Sequence, residues 1–266
     1  MAEVTAALVK ELRDLTGAGM MDCKRALEDT GGDVDEARRL LRERGMASAA
    51  KRADRAVTEG KVLAHVHDSK GTMVAVGCET EPVSNNEDFL AFAQHVLDVA
   101  EVEGPDSVGA LEDERVELVA KIGENVVVSG AARFEPTNGE IVAAYVHPPA
   151  DKIGVMVQLA GGTPELARMV AQHISFANPE FRTRDEVPDQ KLAEERAVYE
   201  KLPDVTSKPE DVRRKIVEGM LGKRFFAEAV LADQAWIHDT SLSVGKALAE
   251  QGAELRDFVR FALTRS

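Results

Sequence analysis

Side chains able to do chemistry are few in this chain of 266 residues: six histidines, two cysteines and a cluster of acids near position 80. His65 and His67 stand two apart and so share one face of a strand. A metal site can begin that way, but no third ligand is identifiable, and solvated strand histidines are the commoner case. His95 and His173 sit inside apolar helical runs, where hydrogen-bonded packing outranks catalysis, and His238 has no company in the sequence. Gly219-Met-Leu-Gly-Lys223 has the flavour of a phosphate loop without its spacing or the hydroxyl after the lysine, so no bound nucleotide is expected. Cys23 and Cys78 form neither a disulfide framework nor a metal-ligand spacing, which fits a reducing compartment. No nucleophile with a base, metal cluster or phosphate cradle emerges. The chain reads as no enzyme, with no cofactor and no metal; a metal-dependent enzyme built on His65 and His67 is the weakest of three functional classes.

The acids near position 80 are the better candidate. From Gly71 to Phe89 the sequence reads as a short buried strand that ends in an acidic, proline-broken loop and then launches a helix. Met73, Val74 and Val76 suit a strand, whereas Glu79, Glu81 and Pro82 cannot occupy a central ladder without burying charge or losing a donor. Asn85 or Asn86 caps a helix that buries Phe89, Phe92, Val96 and Leu97, with Glu87 and Asp88 in the first turn where the dipole favours them. An exposed acidic loop is therefore expected on a rigid strand and helix.

Upstream, Val4, Leu8, Leu12 and Leu15 fall on one helical face with Thr5 as cap. Met20, Cys23, Ala26 and Leu27 form a second apolar set, and Gly31-Gly32-Asp33 stops that helix and caps a third, ending at Gly45. Three short helices make either a small structural bundle or, through the exposed pair Met20 and Met21, a docking surface. The small, charged stretch from Ala47 to Glu59 reads as a solvated helical linker.

Downstream the chain repeats itself. Gly60-Lys-Val-Leu-Ala-His-Val-His67 is echoed by Gly139-Glu-Ile-Val-Ala-Ala-Tyr-Val-His147, and Ala93-Gln-His-Val96 by Ala171-Gln-His-Ile174. The glycines stand at 60 and 139 and the histidines at 95 and 173, so an offset of 79 and then 78 survives through strand, turn, strand and helix. A duplicated unit of that kind is an α+β layer. Leu111 to Lys121 is a second helix of the first unit, followed by a strand from Val126. Gln190–Lys201 and Pro209–Arg224 form a helical hairpin, a candidate homodimer contact. Ala227–Ile237 and Phe258–Leu263 read equally as strands or helix ends. The expected organisation is a three-helix N-terminal domain and linker over 1–55, a sheet-plus-helix subdomain over 56–138, and a related one over 139–266 carrying the hairpin at about 190–224.

Composition limits the partners. The formal charge of −14 argues against binding nucleic acid, because phosphate recognition needs clustered Lys and Arg. The first 55 residues are balanced, with eleven basic and eleven acidic side chains, so nearly all the excess lies downstream. A protein partner is the expectation. No apolar run approaches the length of a membrane span and no leader precedes Ala2-Glu-Val-Thr, so the chain reads as cytoplasmic.

One family unites these motifs. Leu8-Val-Lys-Glu-Leu-Arg-Asp-Leu-Thr-Gly-Ala-Gly-Met-Met-Asp-Cys-Lys-Arg-Ala-Leu27, Cys78-Glu-Thr80, Val119-Ala-Lys-Ile-Gly-Glu-Asn125, Tyr145-Val-His147, Ile153-Gly-Val155, Asn178-Pro-Glu-Phe181 and Lys215-Ile-Val-Glu-Gly219 together resemble bacterial elongation factor Ts over nearly the full length. The resemblance implies a UBA-like N-terminal bundle, two related core subdomains, and guanine-nucleotide exchange on elongation factor Tu without catalysed chemistry. In that family a Thr-Asp-Phe-Val motif disturbs the partner's Mg²⁺ site, its Phe wedging into the GTPase. The matching positions here are Thr80, Glu81, Pro82 and Val83, and the Ala-Lys-Asn after them has become Ser84-Asn85-Asn86. Proline supplies no aromatic wedge and no backbone donor. By matching position Met20, Met21 and Lys24 contact the GTPase through the N-terminal domain, Ile122 and Gly123 pack on the partner helix that the loop approaches, and His147 lies near its nucleotide site. Each has a structural alternative: Met20 as bundle core, Gly123 as a helix cap, His147 as a solvated strand end. Exchange is the first function implied; the second is a divergent paralogue that binds elongation factor Tu, or a variant of it, with weak or altered exchange.

Overall fold

The computed structural model describes residues 4–68, 70–137 and 139–263. Helices and small antiparallel sheets make a mixed α+β fold. It begins with three helices, α1 (Ala6–Thr16), α2 (Met20–Asp29) and α3 (Val34–Arg52). The Thr5 hydroxyl accepts the Leu8 N–H at 3.3 Å, Gly17 closes α1 at φ 64°, and the Asp33 carboxylate accepts the Glu36 N–H at 2.9 Å. Leu12, Cys23, Ala26, Leu27 and Ala37 are the bundle core.

Three expectations fail in this region. Leu15 is 58% and Met20 59% exposed, so neither joins the core that periodicity assigns them to; both flank the α1–α2 turn, and Met20 is exposed as the docking-surface alternative requires. The third helix does not stop at Gly45 but runs on to Arg52, 19 residues in all, absorbing much of the supposed linker. The reason is a stripe of small residues. A Cβ on Gly45 would stand 3.2 Å from that of Ala120, and Ala49 is buried among the side chains of the sheet-facing core, so α3 lies close against a later helix instead of in solvent.

Next come β1 (Glu59–His67), β2 (Lys70–Cys78), a single helical turn α4 (Glu81–Ser84), α5 (Glu87–Val102), a 3₁₀ segment over Pro105–Leu111, α6 (Glu112–Ile122) and β3 (Val126–Phe134). Strands pair antiparallel in the order β1-β2-β3, with a bulge at Ser129 where β3 passes Ala75 and Val76. The second unit holds β4 (Glu140–Val146), β5 (Ile153–Ala160) and α7 (Pro164–Ala177). Beyond them lie the helical α8 (Asp189–Glu200), α9 (Pro203–Thr206) and α10 (Glu210–Met220), a π-helical turn over Leu221–Phe226, and α11 (Ala227–Ala229). Two short strands, β6 (Ala235–Trp236) and β7 (Asp239–Ser243), precede α12 (Val244–Glu250) and β8 (Glu254–Ala262). Of the two segments left open by pattern, Ala227–Ile237 is mostly short helical turns, and Phe258–Leu263 lies almost wholly in β8. That strand returns from far along the chain to complete a second sheet, β4-β5-β8, which is also bulged on its third strand. The helical hairpin has a core of its own in Tyr199, Val205, Val217, Leu221 and Phe225.

The two sheets meet face to face. Val74, Val76 and Cys78 of β2 face α5, while Met73 and Ala75 join Val62, Val142, Met156 and Leu263 in a thin layer between the sheets. Val155, Val157 and Leu159 of β5 face α7 in the same manner. Burial on both faces explains why residues 73–78 of β2 and 153–157 of β5 read as apolar runs without alternation. A glycine near the start of each central strand admits the other sheet: a Cβ on Gly71 would lie 2.5 Å from Val142 Cγ1 and 2.6 Å from Met156 Sδ, and one on Gly154 2.4 Å from Val62 Cγ1.

Behind the second sheet His173 is fully buried. The Ile237 N–H donates to its Nδ1 at 3.3 Å, so its Nε2–H donates to Gln234 Oε1 at 2.9 Å and the ring is neutral. His238 has company after all: its ring centroid lies 4.7 Å from that of Trp236, and its Nε2 bonds the Met169 carbonyl at 3.2 Å. Burial pushes the His173 pKa below its ordinary 6.5. Below about pH 6.5 the unfolded chain therefore takes up a proton that the folded chain refuses, and stability falls as pH drops. Urea unfolding at pH 7.5 and 5.5 is expected to show a loss of up to about 1 kcal/mol that His173→Gln lacks. Equal losses in the two proteins would contradict this.

Candidate partner-binding site

Strand β2 ends at Cys78, where Glu79 and Glu81 bring charge and the backbone turns out of the ladder. The segment beyond it is not an irregular loop. Thr80 adopts extended angles (φ −130°, ψ 152°), and Glu81 to Ser84 make one helical turn with Pro82 at its second position. A first-turn N–H has no acceptor within its helix, so proline there sacrifices no backbone bond. Ser84 Oγ and Asn85 Nδ2 donate to the Glu81 carbonyl at 2.8 and 3.0 Å and close the turn. Asn86, not Asn85, caps α5, accepting the Asp88 N–H at 2.9 Å. Glu81 and Pro82 face solvent, while Val83 packs on the core that holds Phe89 and Phe92. The turn is thus anchored by Val83 and presents Glu81 and Pro82 outward.

Its underside is locked to the end of α6. Ile122 packs on the same core, and Gly123 closes the helix at φ 84° with its N–H on the Val119 carbonyl at 2.9 Å. The next two residues reach the turn. Glu124 Oε1 accepts the Thr80 hydroxyl at 2.6 Å, and its Oε2 accepts the Thr80 and Glu79 N–H groups at 3.0 and 3.2 Å. Glu79 Oε1 in turn accepts the Asn125 N–H at 2.7 Å. These bonds bring Thr80–Val83 together with Ile122 and Gly123 on one edge. Buried beneath them, the Cys78 thiol is pushed up to about 12 by desolvation, the Glu124 charge adding to it, and donates to the Thr80 carbonyl at 3.3 Å. It stays protonated and unreactive at neutral pH.

The first helices sit beside this edge. A Cβ on Gly17, in the α1–α2 turn, would be 3.4 Å from Lys121 Cδ, and Lys121 bonds Asp88 of α5 at 2.7 Å. Arg52, in the last turn of α3, donates to the Gly123 carbonyl at 2.9 Å. A cleft of about 410 Å³ lies between Thr16, Gly19 and Asp22 on one side and Val116, Ala120 and Lys121 on the other. Met20 and Met21, the latter 63% exposed, open α2, and Lys24 one turn on pairs with Glu28 at 3.6 Å. His147 lies apart. It comes directly after β4, its Nδ1 meets the Tyr145 hydroxyl at 2.9 Å, and its N–H donates to the Ile153 carbonyl at 2.8 Å. None of these contacts reaches the turn. Sequence reasoning missed Glu124, Asn125 and Arg52; an acid and an amide directly after the glycine cap were the available signal.

Among the described residues no group of three or more His, Cys, Asp or Glu is placed to hold a metal ion. His65 bonds Glu101 at 2.9 Å and stacks on His67 with ring centroids 6.0 Å apart. No described helix is long and apolar enough to cross a membrane.

Residues 79–265, beginning at the acidic turn, match the family described as elongation factor TS. The chain belongs to that family. Similar curated relatives are the elongation factor Ts of Idiomarina loihiensis, 38% identical over 268 residues (97% of this chain, 90% of the relative), and that of Pasteurella multocida, 39% identical over 265 residues (98% and 92%). The elongation factor Ts of Ectopseudomonas mendocina is 39% identical over 267 residues (98% and 91%). The likeness therefore takes in the first helices as well as the sheets. As an elongation factor Ts family member the chain is a translation elongation factor of the nucleotide-exchange type.

Proposed function

We propose that this chain accelerates GDP release from elongation factor Tu by pressing the Thr80–Val83 turn toward the partner's Mg²⁺ and phosphate site. The observation that carries the reading is the turn itself: Glu81 and Pro82 exposed on a helical turn held from below by Glu124 and beside Ile122 and Gly123. Met20, Met21 and Lys24 dock the N-terminal helices on the GTPase domain, and His147 makes a second contact near the nucleotide site. Residues 1–55, 56–138 and 139–266 act as a UBA-like bundle and two related subdomains, working in the cytoplasm without direct contact to nucleic acid. The helical hairpin, where Val198 is 57% exposed, is the face for a homodimer; sedimentation equilibrium showing a monomer throughout would remove that part.

No bond is made or broken in exchange. The driving force is linkage: a protein that binds the nucleotide-free GTPase more tightly than the GDP-bound one must weaken GDP by the same factor. Stopped-flow release of fluorescent GDP from the cognate elongation factor Tu is expected to quicken at least about tenfold at saturating concentrations of this chain. An unchanged rate would remove the proposal. Pro82 supports a second reading, a chain that binds the GTPase while exchanging weakly; tight binding with less than about a twofold acceleration would favour it.

A further inference from the structure

We infer that Glu124 is a positioning residue for exchange: it clamps the Thr80–Val83 turn in its presented geometry and acts through Thr80, without touching the partner. The inference rests on the exchange reading above. Residues 79–80 and 124–125 form a crossed pair in which each segment's carboxylate takes the other segment's backbone N–H. Glu124 accepts three bonds from Glu79 and Thr80, at 2.6, 3.0 and 3.2 Å, and Glu79 returns one to Asn125 at 2.7 Å. Bonds to an ionised acceptor are about twice as strong as neutral ones. Thr80 would otherwise be the natural side-chain cap of the turn, yet its hydroxyl makes no capping bond, because it is committed to Glu124.

The clamp also has a rigid base. Asn125 is 1% exposed, and its Nδ2 donates to the Ala53 and Arg55 carbonyls at 3.3 and 2.9 Å, just past the end of α3. Glu79 is further held by Arg55 at 3.4 Å. The exit of the N-terminal helices, the end of α6 and the turn are therefore joined by consecutive hydrogen bonds. A turn of four residues has too few internal bonds to hold itself, and a wedge that yields on contact transmits little displacement. Val83, Ser84 and Asn85 hold the far end of the turn, and Glu124 supplies the stiffness at Thr80, where the turn begins.

The test uses the full chain with Glu124→Ala and Glu124→Gln. Amide hydrogen exchange over residues 79–84 is expected to quicken about tenfold in E124A while α5 stays protected. The saturating rate of GDP release falls about tenfold, and the concentration giving half of that rate moves less than about twofold. Glutamine can still accept the two N–H groups and donate to Thr80 Oγ1, so E124Q recovers to within about threefold of the parent. Should E124A not fold, Thr80→Val, which replaces the hydroxyl with a methyl and leaves the two N–H bonds intact, takes its place, with effects of about threefold expected in the same two readouts. Unchanged protection of 79–84, or a loss of exchange expressed wholly in the half-saturating concentration, overturns the inference. Failure of the parent to accelerate release would sink the exchange reading instead, and the hydrogen-exchange arm still decides the clamp.

Discussion

The double variant Glu81→Asp/Pro82→Phe is expected to raise the saturating rate of GDP release about tenfold, with affinity for nucleotide-free elongation factor Tu changed by less than about twofold. The turn can take the change. Position 82 is the second residue of a helical turn and faces solvent, so phenylalanine adopts the same backbone angles without displacing any packed atom. Proline is a small, rigid ring, whereas the aromatic that the resemblance implies at this position offers far more apolar surface. Full burial of a phenylalanine contributes roughly 1.5–3 kcal/mol, and a tenfold rate needs about 1.4 kcal/mol of it to be realised at the moment the nucleotide leaves. In the exchange reading proposed above, docking elsewhere is untouched, because Met20, Met21, Lys24, Ile122 and Gly123 keep their places. Stopped-flow release beside a binding titration separates the two quantities. A rate equal to the parent's would show that position 82 is not the trigger in this chain.

Gly154→Val is expected to cost about 3 kcal/mol of stability or prevent folding outright. The Cβ alone would come within 2.4 Å of Val62 Cγ1 and 3.0 Å of Met73 Sδ. Methionine can swing aside, but Val62 is short, branched and 1% exposed, so the sheets themselves must separate. Separation would reach Val142, Met156 and Leu263, which share the layer. Against a total stability of about 5–15 kcal/mol such a loss is severe. Gly109→Ala is the control: nothing lies within 4 Å of its Cβ position, and a change below about 0.5 kcal/mol is expected. Urea midpoints for the two variants decide it; a Gly154→Val protein as stable as the control would mean that the sheets are not pressed together there.

Legibility in the sequence tracked the range of each interaction. Caps are local: Thr5 and Asp33 were readable from type and position, and the α5 cap was narrowed to Asn85 or Asn86, of which the structure uses Asn86. The duplication was readable because glycine, strand and histidine recur at a constant offset, and both copies form antiparallel pairs with a helix after them. The features that escaped were tertiary. Gly45 and Ala49 form no apolar face by size, and only the presence of α6 opposite turns smallness into close packing. β8 pairs with β5 across nearly a hundred residues, and no local pattern announces the partner. Glu124 looks like any exposed acid until the fold brings Thr80 over it. The candidate turn was visible as an acidic break; its helical form was not, because proline at the second helical position reads as a breaker until the cap before it is seen.

Competition between this chain and GDP for one GTPase is the claim on which the rest depends. Isothermal titration of the chain into elongation factor Tu, first nucleotide-free and then with GDP from sparse to saturating, measures it directly. The expected result is an apparent dissociation constant that climbs with GDP by a factor of roughly 5–150, matched by the same weakening of GDP when the titration is reversed. An identical constant with and without GDP, or no complex under either condition, would contradict it.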